Sequence, residues 1–213
     1  MSLADELRPR SYDQVIGQEK AVNQVKFLES RRGLTKRAIW ISGLSGTGKT
    51  SIAQIIAEQI SPNWWKEWDG KSVTPKDFVE WREAVKCKPM IDDGYCLIVN
   101  EVHYLSPKVI APLLNMLEAL PDYVCVIFTT TKEGELSLFE DNIDASPLTS
   151  RCSIINLESR GEKLETAFSI YLRKISREYG LGDRPLSDYV ALVRRHKFNL
   201  RACIQSLESG EML

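Results

Sequence analysis

The sequence predicts an α/β fold in which a parallel sheet lies between helices, followed by a small α-helical lid. Three observations carry that expectation. Short apolar runs rich in β-branched residues recur up to residue 157, each too short for an independent helix. Stretches with helical spacing alternate with them, the order that produces parallel sheets flanked by helices. After about residue 158 only helical periodicity remains. The expected division is an α/β domain over residues 1–157 and a helical lid domain over 158–213.

Each element has its own signal. Arg37 to Ser42 is a brief apolar run that ends at a glycine-rich turn and reads as a buried strand. From Lys49 to Ile60, the residues Ile52, Ile55, Ile56 and Ile60 recur at helical spacing. Tyr95 to Val99 and Val124 to Phe128 read as further buried strands, and Ser153 to Leu157 as a fourth. Between the first helix and the second of these strands, Trp64, Trp65 and Trp68 form either a partner surface or part of the core or sheet edge. Ser106-Pro107 is a cap and first-turn pair for another helix, inside which Pro112 removes a backbone donor and bends the axis. In the lid, Leu164, Phe168, Tyr171, Leu172 and Ile175 share one stripe between Glu162 and Tyr179, and Gly180 to Pro185 breaks that helix. Ser187 to Arg195 and Leu200 to Leu207 give two shorter helices.

Composition narrows the function classes. The 213 residues are 43% hydrophobic and 27% charged, ordinary values for a soluble globular protein, and they suffice for one sizeable domain with a small appendage. No apolar run approaches the roughly 18 residues of a membrane span, and the start lacks a signal-peptide pattern, so a cytoplasmic protein is expected. The net charge of −1 supplies no general attraction to nucleic acid, and any DNA contact requires a local patch. Arg194-Arg195-His196-Lys197 is such a patch, or else a solvated helix end. The five cysteines contain no C-x-x-C pair and read as buried free thiols.

The strongest chemical signal is Gly43-Leu44-Ser45-Gly46-Thr47-Gly48-Lys49-Thr50, which satisfies G-x-x-x-x-G-K-[ST] between a strand and a helix, with Ser51 next in the helix. Its glycines let backbone N–H groups converge on phosphate oxygens, and the helix N-terminus adds partial positive charge. ATP with Mg2+ is the ligand such a turn takes, with Lys49 on the β- and γ-phosphates and Thr50 on the metal. The strand ending at Val99 is followed by Asn100 and Glu101, polar groups at the sheet edge where open α/β sheets place ligands. Glu101 suits the base that polarises an attacking water, and Asn100 suits the metal's shell without bringing charge.

These boxes and those around them resemble the clamp-loader AAA+ ATPases, such as the gamma/tau subunit of bacterial DNA polymerase III and replication factor C subunits. More loosely, the chain is similar to branch-migration motors. Leu7 to Gln18 looks like the family's opening box, which implies that Val15 and Ile16 flank adenine. Asn100-Glu101-Val102-His103-Tyr104-Leu105-Ser106 matches D-E-V-H-x-L-S apart from its first residue, where the family has aspartate. Ser150-Arg151-Cys152 looks like the S-R-C motif, implying that Arg151 enters a neighbouring subunit's site; the plainer alternative is a surface ion pair. Phe128 to Thr131 resembles the sensor-1 strand end, with Thr130 as the polar contact. Asn199-Leu200-Arg201-Ala202 resembles the sensor-2 helix start, with Arg201 touching phosphates from the lid.

The resemblance spans about residues 4–207 and implies an ATPase subunit in DNA replication or repair. Its implied partners are other AAA+ subunits or identical copies, a sliding clamp and primer–template DNA. An assembly subunit that hydrolyses slowly and lends Arg151 to a partner is the alternative that Asn100 raises; a DNA-remodelling ATPase outside the clamp-loader group is another. Three departures stand out. There is no cysteine-rich module after the phosphate-loop helix. The connection from Thr131 to Ser150 is long and acidic, with Glu133, Glu135, Glu140, Asp141 and Asp144. No collar domain follows the lid in these 213 residues.

Overall fold

The structure, a computed structural model, describes residues 2–131 and 146–212. The acidic residues of the connection noted above, Glu133, Glu135, Glu140, Asp141 and Asp144, lie outside them. A short helix α1 (Leu3–Glu6) precedes a 3₁₀ turn over Tyr12–Gln14 and helix α2 (Glu19–Arg32). The core then runs β1 (Arg37–Ser42), α3 (Lys49–Ile60), β2 (Trp65–Asp69), α4 (Pro75–Ala84), β3 (Tyr95–Asn100), α5 (Pro107–Glu118) and β4 (Val124–Thr130). It continues with α6 (Ser146–Thr149) and β5 (Cys152–Asn156), and the helices α7 (Glu162–Glu178), α8 (Leu186–Arg195) and α9 (Leu200–Glu208) follow.

The five strands form one parallel sheet in the order β2-β3-β4-β1-β5. Both faces are covered, and so the central strands read as unbroken apolar runs. Side chains of one parity, including Ile39, Ile41, Cys96, Ile98, Cys125 and Ile127, pack under α2 and α3. Those of the other parity, including Trp40, Leu97, Val99, Val126 and Phe128, pack under α4 and α5. A third apolar cluster joins α7, α8 and α9, and Leu3 of α1 belongs to it.

The parallel sheet between helices is the expected fold. Sequence periodicity missed the polar ends of β3 and β4, which remain in the ladder as far as Asn100 and Thr130. The tryptophan segment is the edge strand β2: Trp65 and Trp68 are half-buried on opposite faces and Trp64 is exposed. The Trp68 ring meets Phe78 edge-on at 5.1 Å. Pro112 lies inside α5, which continues through it, and the Ser106 side chain makes no capping hydrogen bond although Pro107 does open the helix. Cys96, Cys125 and Cys203 are buried, Cys152 is half-buried and Cys87 is exposed. In the basic cluster, Arg194 is paired with Glu165 at 2.7 Å and Arg195 with Glu211. Those arginines are therefore neutralised within the chain. Among the described residues no helix is long and apolar enough to cross a membrane.

Gly70 fixes how β2 leaves the sheet beside the end of β3. Its N–H donates to the Asn100 carbonyl at 2.8 Å, and a methyl group built on it would come within 2.5 Å of the Glu101 carbonyl oxygen. Gly70→Ala is therefore expected to lower stability by about 1–3 kcal/mol, the usual range for overpacking, read as a lower urea midpoint at unchanged slope.

Candidate functional site

Parallel strands all end at the same edge, and there most of the residues singled out from the sequence converge. The turn between β1 and α3 folds tightly because Gly46 (φ 72°) and Gly48 (φ 105°) take backbone conformations that β-carbons disfavour. Thr47 Oγ1 donates to the Leu44 carbonyl at 2.8 Å and ties the turn across its base. Lys49 is only 6% exposed. Its ammonium donates to the carbonyls of Gly43 (3.2 Å) and Leu44 (3.0 Å). A buried cation is costly without acceptors, and an incoming anion at the turn would supply stronger ones.

Helix α3 leaves this turn and crosses β4 to lie over β3. That crossing brings Thr50 Oγ1 to 3.4 Å from Asn100 Oδ1. The same carbonyl oxygen accepts from Thr129 Oγ1 at 2.8 Å. Glu101 follows in a left-handed conformation (φ 49°, ψ 48°), uncommon for a residue with a side chain. Its amide donates to Thr129 Oγ1 at 3.4 Å, and its carboxylate lies 3.4 Å from His103 Nε2. The other ring nitrogen of His103 meets Thr130 Oγ1 at 3.1 Å. Burial holds the His103 pKa below its ordinary value; Glu101 opposes this, and Lys49 and Lys71 reinforce it. The ring is therefore neutral near pH 7.

A cleft runs between the sheet edge and the lid. It is lined by Val15, Ile16, the turn residues Ser45 to Ser51, Glu101 and Arg201. Arg201 reaches it from the first turn of α9, whose start is capped by Asn199 accepting from the Ala202 amide at 3.1 Å. Gly46 lies directly against Asn199, so the turn and the lid helix touch. Gly43 and Leu44 sit behind the cleft; the Leu44 amide donates to Ser159 Oγ at 3.3 Å.

Asn100 stands beside Thr50 rather than on the cleft wall, and Thr130 and Arg151, also expected at the site, are turned away from it. Thr130 is fully buried and turned toward His103, whereas Thr129, which sequence reasoning passed over, meets Asn100. Strand alternation explains the difference: Thr129 shares the α3 face with Asn100, and Thr130 points to the opposite face. Arg151 is held outside the cleft by Glu118 of α5 at 2.6 Å and by the Pro147 carbonyl at 2.7 Å. Arg8, within the opening box, and Tyr171, on the apolar stripe of α7, also line the cleft, although neither was singled out as a site residue. Thr50 and Asn100 offer hard oxygen donors side by side, a set that fits Mg2+ bound largely through water and phosphate.

No protein-family model matches the chain. The Holliday junction branch migration complex subunit RuvB of Nitratiruptor sp. is 32% identical over 107 residues, covering 48% of this chain and 30% of that protein. DNA polymerase III subunit tau/gamma of Haemophilus influenzae is 28% identical over 185 residues, 75% of this chain and 25% of that protein. The chain thus spans less than half of the length of each of these RuvB and DNA polymerase III relatives, between 23% and 47%. Among solved structures, the Thermotoga maritima RuvB branch migration motor superposes with a TM-score of 0.71 at 20% identity, over 95% of this chain and 64% of that one, a likeness of fold. The likeness to both groups of relatives supports, at distant identity, a resemblance to the clamp-loader-like AAA+ family.

Proposed function

We propose that this chain binds ATP with Mg2+ and hydrolyses it as one subunit of a cytoplasmic assembly acting in DNA replication or repair. The observation that carries this reading is the single cleft that gathers the phosphate-binding turn, Glu101 and Arg201, with Thr50 and Asn100 meeting at the sheet edge. The turn's amides and Lys49 receive the triphosphate, and Val15 and Ile16 enclose the base. Thr50 and Asn100 hold the metal's shell, and the bound Mg2+ offsets negative charge on the β- and γ-phosphates. Glu101 accepts a proton from the attacking water. Arg201 stabilises charge on the phosphates from the lid, so nucleotide binding sets the angle between residues 1–157 and 158–213. Thr130 acts on this site through His103, and Thr129 through Asn100.

Arg151 serves an adjacent subunit in this reading. It is exposed and lies outside the chain's own cleft, and its bridge to Glu118 presents the guanidinium at the surface. The adjacent subunit is an identical copy or another AAA+ chain, and the assembly's substrates are primer–template DNA and a sliding clamp. Relatives named for DNA polymerase III and for Holliday junction branch migration support work on DNA. A second reading rests on Asn100: an amide in place of a carboxylate favours slow hydrolysis, and the chain then acts mainly as a nucleotide-binding subunit that lends Arg151 to a partner.

Lys49→Ala is expected to weaken binding of a fluorescent ATP analogue by about 100-fold or more, as charge-assisted phosphate contacts are lost; unchanged affinity contradicts the reading. Glu101→Gln should keep that affinity and cut steady-state turnover by about 100-fold, the scale of lost general-base help. If the unmodified protein binds ATP but shows no turnover when assembled on DNA, the second reading stands. Arg151→Ala is expected to leave nucleotide affinity of the isolated chain unchanged while lowering turnover of the assembly; weaker binding by the monomer would instead place this arginine in cis.

A further inference from the structure

The end of β3 presents an uncharged amide beside the phosphate-loop helix, and that amide is hydrogen-bonded on both sides. Asn100 Nδ2 donates to Glu67 Oε1 of β2. The second carboxylate oxygen of Glu67 accepts from Gln54 Nε2 of α3 at 2.8 Å. Gln54 in turn accepts from Arg8 Nη1 at 3.3 Å, on the cleft wall. On its other side Asn100 Oδ1 accepts from Thr129 and faces Thr50.

The fold dictates this meeting. Glu67 is registered against Ile98, two residues before Asn100, so both side chains lie on the α3 face of the sheet at a diagonal. Gln54 stands one helical turn beyond Thr50 on α3 and so lies above the same two strands. An amide, unlike a carboxylate, has two unlike ends. With Nδ2 turned to Glu67, the carbonyl oxygen faces Thr50, where a metal-bound water needs an acceptor. Turning the amide over would set lone pairs against the Glu67 carboxylate and aim N–H donors at the metal side. Glu67 accepts from neutral amides at both oxygens, and among the described residues no cation pairs with it. Its negative charge is therefore available to the neighbouring site.

We propose that Glu67 and Asn100 work as a unit, in which the Glu67 carboxylate fixes the orientation of the Asn100 amide and supplies the negative charge that helps retain hydrated Mg2+ beside the nucleotide. Glu67 is a positioning residue, one side chain removed from the metal's shell. The proposal rests on the nucleotide-binding reading of the cleft and adds the source of the charge that Asn100 lacks.

The test uses the whole chain with a fluorescent, non-hydrolysable ATP analogue, titrated with Mg2+ from an EDTA baseline. The readout is the Mg2+ concentration that gives half of the metal-dependent gain in affinity. Glu67→Gln is expected to raise it about tenfold or more, as for other outer-shell partners of metal ligands. Adding Asn100→Asp to Glu67→Gln should return it toward the original value, a rescue that general damage to the fold would not give. The same order of variants is expected for Mn2+ binding followed by electron paramagnetic resonance. An unaltered Mg2+ requirement in Glu67→Gln, or failure of the double variant to recover, overturns this proposal alone. Absence of analogue binding by the unmodified chain, with or without Mg2+, overturns the reading of the cleft and this proposal with it.

Discussion

Everything at the candidate site depends on one geometric constraint: α3 begins at the end of β1 but lies across β4 onto β3. In a parallel sheet all strands deliver their following loops to the same edge, yet neighbouring loops do not touch unless something spans them. Here β4 separates β1 from β3, and α3 packs on all three strands. Thr50, in the first turn of that helix, is thereby carried to the end of β3. The buried isoleucines Ile52, Ile55 and Ile56 hold the helix on the sheet, at about 1.5–3 kcal/mol for each fully buried large apolar side chain. Packing therefore sets the distance between the glycine-rich turn and Asn100.

That packing also sustains groups which would not hold their positions in a loose chain. Lys49 keeps a buried ammonium against two backbone carbonyls, and Glu101 keeps a left-handed backbone at the mouth of the cleft. Uncommon backbone conformations persist where surrounding structure over-determines them, and they gather at functional sites. Around Glu101 the determinants are visible: Gly70 packs against its carbonyl, Thr129 accepts its amide proton, and His103 flanks its carboxylate. The lid adds a further wall, since Asn199 rests on Gly46 and Arg201 faces the turn across the cleft.

Much of this was legible in the sequence, for physical reasons. Strands buried on both faces leave uninterrupted apolar runs, so β1, β3 and β4 were visible, as was the glycine-rich turn with its G-x-x-x-x-G-K-[ST] spacing. Edge strands leave a weaker trace: in Trp65 to Asp69 three of five residues are charged, and only the tryptophans hinted at a sheet edge. Strand order leaves none. Without it, Thr129 and Thr130 are indistinguishable neighbours, although the pleat sends one to Asn100 and the other to His103. Glu67 was invisible for the same reason, being 33 residues from the amide it meets. Arg151 was flagged by its motif, and its bridge to Glu118 depends on how α5 packs.

The most direct test of the account is the structure of the chain with a non-hydrolysable ATP analogue and Mg2+. The expected result is a triphosphate seated on the amides that follow Leu44, with the Lys49 ammonium withdrawn from the Gly43 and Leu44 carbonyls onto phosphate oxygens and the metal beside Thr50. A nucleotide bound elsewhere on the molecule, or a Lys49 ammonium still hydrogen-bonded to those two carbonyls with the turn empty, would contradict it.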